Sequence, residues 1–102
     1  MNYRVLLFYK YIEFKSPEKF LEDHLMFCKE HEILGRVWIS NEGINGTVSG
    51  LTANIEKYKE EIKRYPEFSD IWFKEDVYDK HAFNKIHVRI KREIVNASFG
   101  DV

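Results

Sequence analysis

The chain has 102 residues, enough for one domain with a single core, and at 44% hydrophobic and 16% aromatic residues it is composed to pack rather than to stay disordered. Sixteen Lys and Arg against 17 Asp and Glu leave a net charge of −1, which excludes a global field drawing the molecule to nucleic acid or membrane. A lone Cys28 excludes an intramolecular disulfide, and no apolar run is long enough for a signal segment or a span, so the reading is a soluble, cytoplasmic protein with no membrane partner.

Residues 4–11 are rich in aromatic and branched side chains and read as a buried central strand. Ser16-Pro17 marks a helix start, with Ser at the N-cap and Pro at the first helical position. Phe20, Leu21, His24, Leu25, Phe27 and Cys28 then recur at helical spacing and make one wide apolar face. Gly35 ends that helix or leads into the next strand.

Three of the five glycines fall between residues 40 and 50, with Asn41 and Asn45 among them. Strand-like flanks at 36–39 and 47–49 predict an antiparallel hairpin turning at residues 41–43, with Gly46 at a bulge or a close backbone approach. Two readings of Glu42, Gly43, Ile44, Asn45 and Gly46 stay open: a tight structural turn, or a small-residue loop against which RNA or a neighbouring domain lies.

Thr52 is the predicted N-cap of a second helix, which buries a stripe of Ile55, Tyr58, Ile62 and Tyr65 and is closed by Pro66. Ile71-Trp72-Phe73 predicts the opening of a fourth strand with an acidic exit at Glu75, Asp76 and Asp79. Residues 85–92 alternate: Ile86, Val88 and Ile90 point one way, Lys85, His87, Arg89 and Lys91 the other, and Arg92 follows. The order of elements predicts an α+β, ferredoxin-like split βαβ fold. Its antiparallel sheet carries both helices on one face, with an extra C-terminal strand. Residues 1–95 form the domain and 96–102 read as the start of a linker.

His24, Cys28 and His31 share a helix face at a spacing that permits metal ligation, but the same face holds Phe20 and Phe27, and core packing is the better reading. Cys28 lies deep in its helix, away from the cationic or N-terminal setting that activates a thiolate. Asp76, Asp79 and His81 sit in a polar connection with no nucleophile in view. No catalytic residue, metal site or cofactor motif is therefore expected.

The acylphosphatase reading of this fold fails because Lys10-Tyr11-Ile12-Glu13-Phe14-Lys15 lacks a glycine-and-arginine phosphate cradle, and a copper-chaperone reading fails for want of Cys-x-x-Cys. An RNA-recognition-motif reading needs aromatics on the third strand, which offers Thr47, Val48 and Ser49. What remains for RNA is the basic strand, Lys85, His87, Arg89, Lys91 and Arg92, whose charges suit phosphates and equally suit an edge strand protected from aggregation.

The run Glu42-Gly43-Ile44-Asn45-Gly46-Thr47-Val48-Ser49-Gly50 resembles the signature of the rhodanese-related tRNA uridine hydroxylases. A second run, from His81 through Phe83, Lys85, His87 and Arg89 to Val95, is similar to the stretch those proteins carry just before their rhodanese domain, and the segments 3–11 and 24–30 also fit. The resemblance implies the N-terminal domain of an enzyme that hydroxylates C5 of the tRNA wobble uridine with molecular oxygen. The family's catalytic cysteine lies in the rhodanese domain, while Cys28 matches a helix position of the N-terminal one. The expected partners are tRNA and a rhodanese domain of the same full-length chain; the competing expectation is a structural docking domain that touches no RNA.

Overall fold

The computed structural model describes residues 2–14 and 16–90. The chain runs β1 (Tyr3–Tyr11), α1 (Pro17–Glu30), β2 (Leu34–Ser40), β3 (Gly43–Leu51), α2 (Thr52–Lys63), a 3-10 turn (Pro66–Phe68), β4 (Lys74–Tyr78) and β5 (Ile86–Ile90). The strands form one sheet in the order β4-β1-β3-β2-β5. This is the predicted ferredoxin-like plan with its extra C-terminal strand.

One part of the expectation changes: β5 pairs with β2 in parallel, so the sheet is mixed rather than antiparallel. Connection length explains the direction. The segment 79–85 must carry the chain from one edge of the sheet to the other, four strand spacings or about 19 Å. Seven residues reach about 25 Å when extended, so none are left to travel the length of the sheet as well. The chain re-enters at the end where it left, and β5 runs opposite to β4.

Both helices cover the same face. Leu6 and Phe8 of β1, Val37 and Ile39 of β2, and Ile44 and Val48 of β3 pack there against Phe20 and Cys28 of α1 and Ile55, Tyr58 and Ile62 of α2. Alternation along the strands puts these residues on one side and their neighbours on the other. His24 belongs to this core. Its ring stacks on Phe20 with centroids 5.1 Å apart, and its Nε2 lies 2.9 Å from the Tyr58 hydroxyl. Burial lowers the His24 pKa to about 3 and pushes the Cys28 thiol up to about 12. His31 Nδ1 lies 3.0 Å from the Phe27 carbonyl oxygen. Native-state labelling of Cys28 by a thiol reagent is expected to run on the order of a hundredfold or more below the rate in denaturant. Equal rates would place the thiol outside the core.

Several local expectations move. The fourth strand begins at Lys74 rather than Ile71; Ile71 is buried, its N–H bonding the Phe68 carbonyl at 3.1 Å. Asp76 lies inside that strand and not in a connection. Thr52 is the first helical residue and Leu51 the cap; the Thr52 hydroxyl instead donates to the Asn2 carbonyl at 2.9 Å. The hairpin turn is Asn41-Glu42, because Ser40 already pairs with Gly43. Gly46 sits in regular pairing with Phe8 and Val37 and marks a close approach, since a Cβ there would lie 2.6 Å from Phe8 Cζ.

Candidate nucleic-acid interface

The sheet face away from the helices follows from the pairing register. One row across it reads Lys74, Leu7, Thr47, Arg36, His87 from β4 to β5, and the next reads Tyr9, Asn45, Trp38, Arg89 from β1 to β5. Among the described strand residues of this face, Asp76 is the one carboxylate.

The crossing segment 79–85 divides this face. His81 packs edge-on against Tyr3 with centroids 4.8 Å apart. The Ala82 N–H donates to Ser49 Oγ at 3.3 Å, and that hydroxyl stands 3.0 Å from His81 Nδ1. Burial depresses the His81 pKa, disfavouring the charged imidazolium. Ser49 is fully buried beneath this strap, so the Ser49–His81 pair is closed to a substrate and serves as a structural tie. Val5, paired with Ser49, is buried at this end of the face, while Tyr9 and Tyr11 at the other end are exposed.

Two grooves lie in the sheet surface. The first, ≈ 460 Å³, runs between β2 and β5 and brings Lys85, His87 and Arg89 together with Arg36, Trp38 and Phe83. No carboxylate lines it, and among the described residues none of Arg36, Lys85 and Arg89 is in an ion pair. Several cations elsewhere are paired: Lys10 with Asp70, Lys59 with Glu56 and Glu75, Arg64 with Glu61. Lys91 and Arg92 lie outside the described residues, as does the segment 96–102 expected to open a linker. Sequence reading missed Arg36 and Trp38. They belong to β2, and only the parallel pairing of β5 sets them beside Lys85, His87 and Arg89.

The second groove, ≈ 640 Å³, lies over β1 and β3 and is walled by Tyr9, Tyr11 and Trp72, with Asn45 and Thr47 at its floor and Lys74 at its rim. Of the glycine-rich stretch, Glu42 is in the exposed turn, while Gly43, Ile44, Asn45 and Gly46 are strand residues of β3. Ile44 is fully buried on the helix side, and Asn45 is half-buried on the open side.

The UPF0176 acylphosphatase like domain matches residues 3–94. The chain belongs to that family. Curated relatives include proteins named tRNA uridine(34) hydroxylase from Acholeplasma laidlawii, 52% identical over 100 residues, and from Bacillus pumilus, 52% identical over 100 residues. Each alignment takes in 98% of this chain and 31% of the relative, so the chain spans about a third of their length and corresponds to their N-terminal region. Among solved structures, Klebsiella pneumoniae BlrP1 in a calcium/cy-diGMP complex superposes with a TM-score of 0.68 at 14% identity, over 90% of this chain and 24% of that one. That likeness is one of fold. Among the described residues of this family member, no helix is long and apolar enough to cross a membrane.

Proposed function

We propose that this chain is the N-terminal accessory domain of a tRNA uridine hydroxylase and holds tRNA by its phosphates in the groove between β2 and β5. The hydroxylation belongs to the longer protein, with the reacting cysteine in a rhodanese domain joined through residues 96–102. The supporting observation is the groove's charge: Arg36, Lys85 and Arg89 converge without a carboxylate among the lining residues. A cationic groove on a chain of net charge −1 concentrates positive potential on one surface, which is what sequence-independent phosphate contact requires. In this reading Lys91 and Arg92 continue the same contact, and the exposed Glu42 with the half-buried Asn45 shapes one wall of the cleft shared with the neighbouring domain.

The test is a titration of the chain with an anticodon stem-loop at two salt concentrations. Arg36→Ala and Arg89→Ala are each expected to weaken binding and to reduce the salt slope by roughly one unit. Thermal unfolding of each variant controls for packing lost with the long side-chain stems. Equal affinity and slope in wild type and both variants would transfer the assignment to a docking domain that meets no RNA.

A further inference from the structure

We infer that the second groove, between Tyr9, Tyr11 and Trp72, is a stacking site for an unpaired nucleobase, which adds to the phosphate contacts an interaction that a single-stranded or loop segment of RNA makes and a duplex does not. The inference rests on the RNA reading above for the choice of polymer and adds a site to it. Trp72 is 74% exposed, Tyr11 62% and Tyr9 59%, yet these rings are not on a loose segment. Trp72 stands between two anchored neighbours. Ile71 is buried, and Phe73 packs edge-on against Phe8 with centroids 5.4 Å apart. Tyr9 and Tyr11 project from the end of β1, which pairs there with β3 and is held just beyond by the Ile12 N–H bond to the Glu42 carbonyl at 2.9 Å; their rings lie 5.8 Å apart. The indole and both phenols are thus held out toward solvent by a rigid backbone, the condition under which an aromatic side chain offers stacking area at small entropic cost.

The surroundings fit a base. Asn45 is directly opposite Tyr9, and Thr47 directly opposite Leu7, so an amide and a hydroxyl lie at the floor where base edges would point. Lys74 stands on the other side of Leu7. From there the row continues through Thr47 to Arg36, so a cation stands on either side of the groove floor beside the aromatic rings. The span from β1 to β5 is three strand spacings, about 14 Å, close enough for one RNA segment to occupy both grooves. A polymer with phosphates outside and bases inward matches that order, and recognition of single-stranded RNA characteristically uses such rings. An apolar protein surface would leave the half-buried Asn45 and Thr47 without partners, which is unfavourable. β3 itself bears no aromatic; the rings come from β1 and the segment before β4.

The experiment compares a single-stranded oligouridine hexamer with an RNA duplex, each titrated into the 102-residue chain at two salt concentrations. Trp72→Ala and Tyr9→Ala are each expected to weaken hexamer binding roughly 5- to 100-fold with the salt slope unchanged, and to leave duplex binding as it was. Trp72→Phe, which keeps a ring, is expected to retain most of the affinity. Arg89→Ala is expected to weaken both probes and lower the slope. Unchanged hexamer affinity in both ring variants overturns the base site, even if Arg89→Ala still acts and the phosphate reading stands. Ring variants that act while Arg89→Ala is neutral support the base site and remove the phosphate groove. Absence of binding by either probe overturns both and gives the aromatic face to a protein partner.

Discussion

Gly43→Ala is expected to cost at least on the order of 3–5 kcal/mol, enough to leave much of the population unfolded if the domain has ordinary stability. Gly43 has φ +149°, a conformation that L side chains rarely adopt, and a Cβ there would lie 2.1 Å from the Lys10 carbonyl oxygen. That oxygen is backbone of the adjacent central strand, so relief requires β1 and β3 to part where Tyr11 pairs with Gly43. Gly46→Ala is the informative comparison. Its Cβ meets chiefly the Phe8 ring at 2.6 Å, with the Arg36 carbonyl oxygen no nearer than 3.2 Å, so the ring must shift within the core, at about 1–3 kcal/mol. Urea unfolding of the two variants is expected to give that order. Gly43→Ala within 1 kcal/mol of wild type would contradict the backbone clash.

Acidification is expected to destabilise the domain through His24. Burial holds its folded-state pKa at about 3, against an ordinary value of 6.5. Between those values the unfolded chain takes up a proton that the folded chain refuses, so stability is fully present above about pH 6.5 and falls as pH drops through the window. The slope is about 1.4 kcal/mol per pH unit, or about 3 kcal/mol lost by pH 4 from this group alone. Urea unfolding at pH 7 and pH 4 measures the loss. The double variant His24→Phe, Tyr58→Phe removes the imidazole together with the hydroxyl that would otherwise be left unpaired, and is expected to lose about 3 kcal/mol less between the two pH values. Parallel losses in wild type and variant would show that His24 is solvated or protonated in the folded state.

The elements set by local pattern were legible from sequence. Pro17 opens α1, the Ile55–Tyr58–Ile62 stripe is the buried face of α2, and the alternation of Ile86, Val88 and Ile90 gives a strand. β4 was not, because Lys74–Tyr78 is exposed along its whole length and is a strand by virtue of pairing with β1 rather than through its own hydrophobicity. The apolar Ile71-Trp72-Phe73 drew the expectation instead, although those residues serve a buried turn, an exposed indole and a packed ring. Lys85, His87 and Arg89 were legible as a basic face. Their neighbours Arg36 and Trp38 were not, since alternation fixes which way a side chain points and says nothing of which strand lies alongside. β1 hid its aromatics similarly: a near-continuous apolar run reads as buried on both faces, whereas Tyr9 and Tyr11 stand on the open one.

The parallel pairing of β5 has a thermodynamic side. Gly35 meets Ile86 across 51 positions of sequence (86 minus 35), so β5 closes a long loop and, as an edge strand, pairs with β2 alone, while the strap before it is tied to the sheet by Ser49 and Tyr3. Such a unit opens at a lower free energy than the whole domain. When it opens, β2 becomes a bare edge with unpaired backbone groups, and the cationic groove between the two strands ceases to exist. Whatever anion seats in that groove binds only the closed form and so holds the strand in place by mass action. Ligand occupancy and protection of the sheet edge are thus one equilibrium, and a change that loosens β5 weakens binding by the fraction of time the edge stands open.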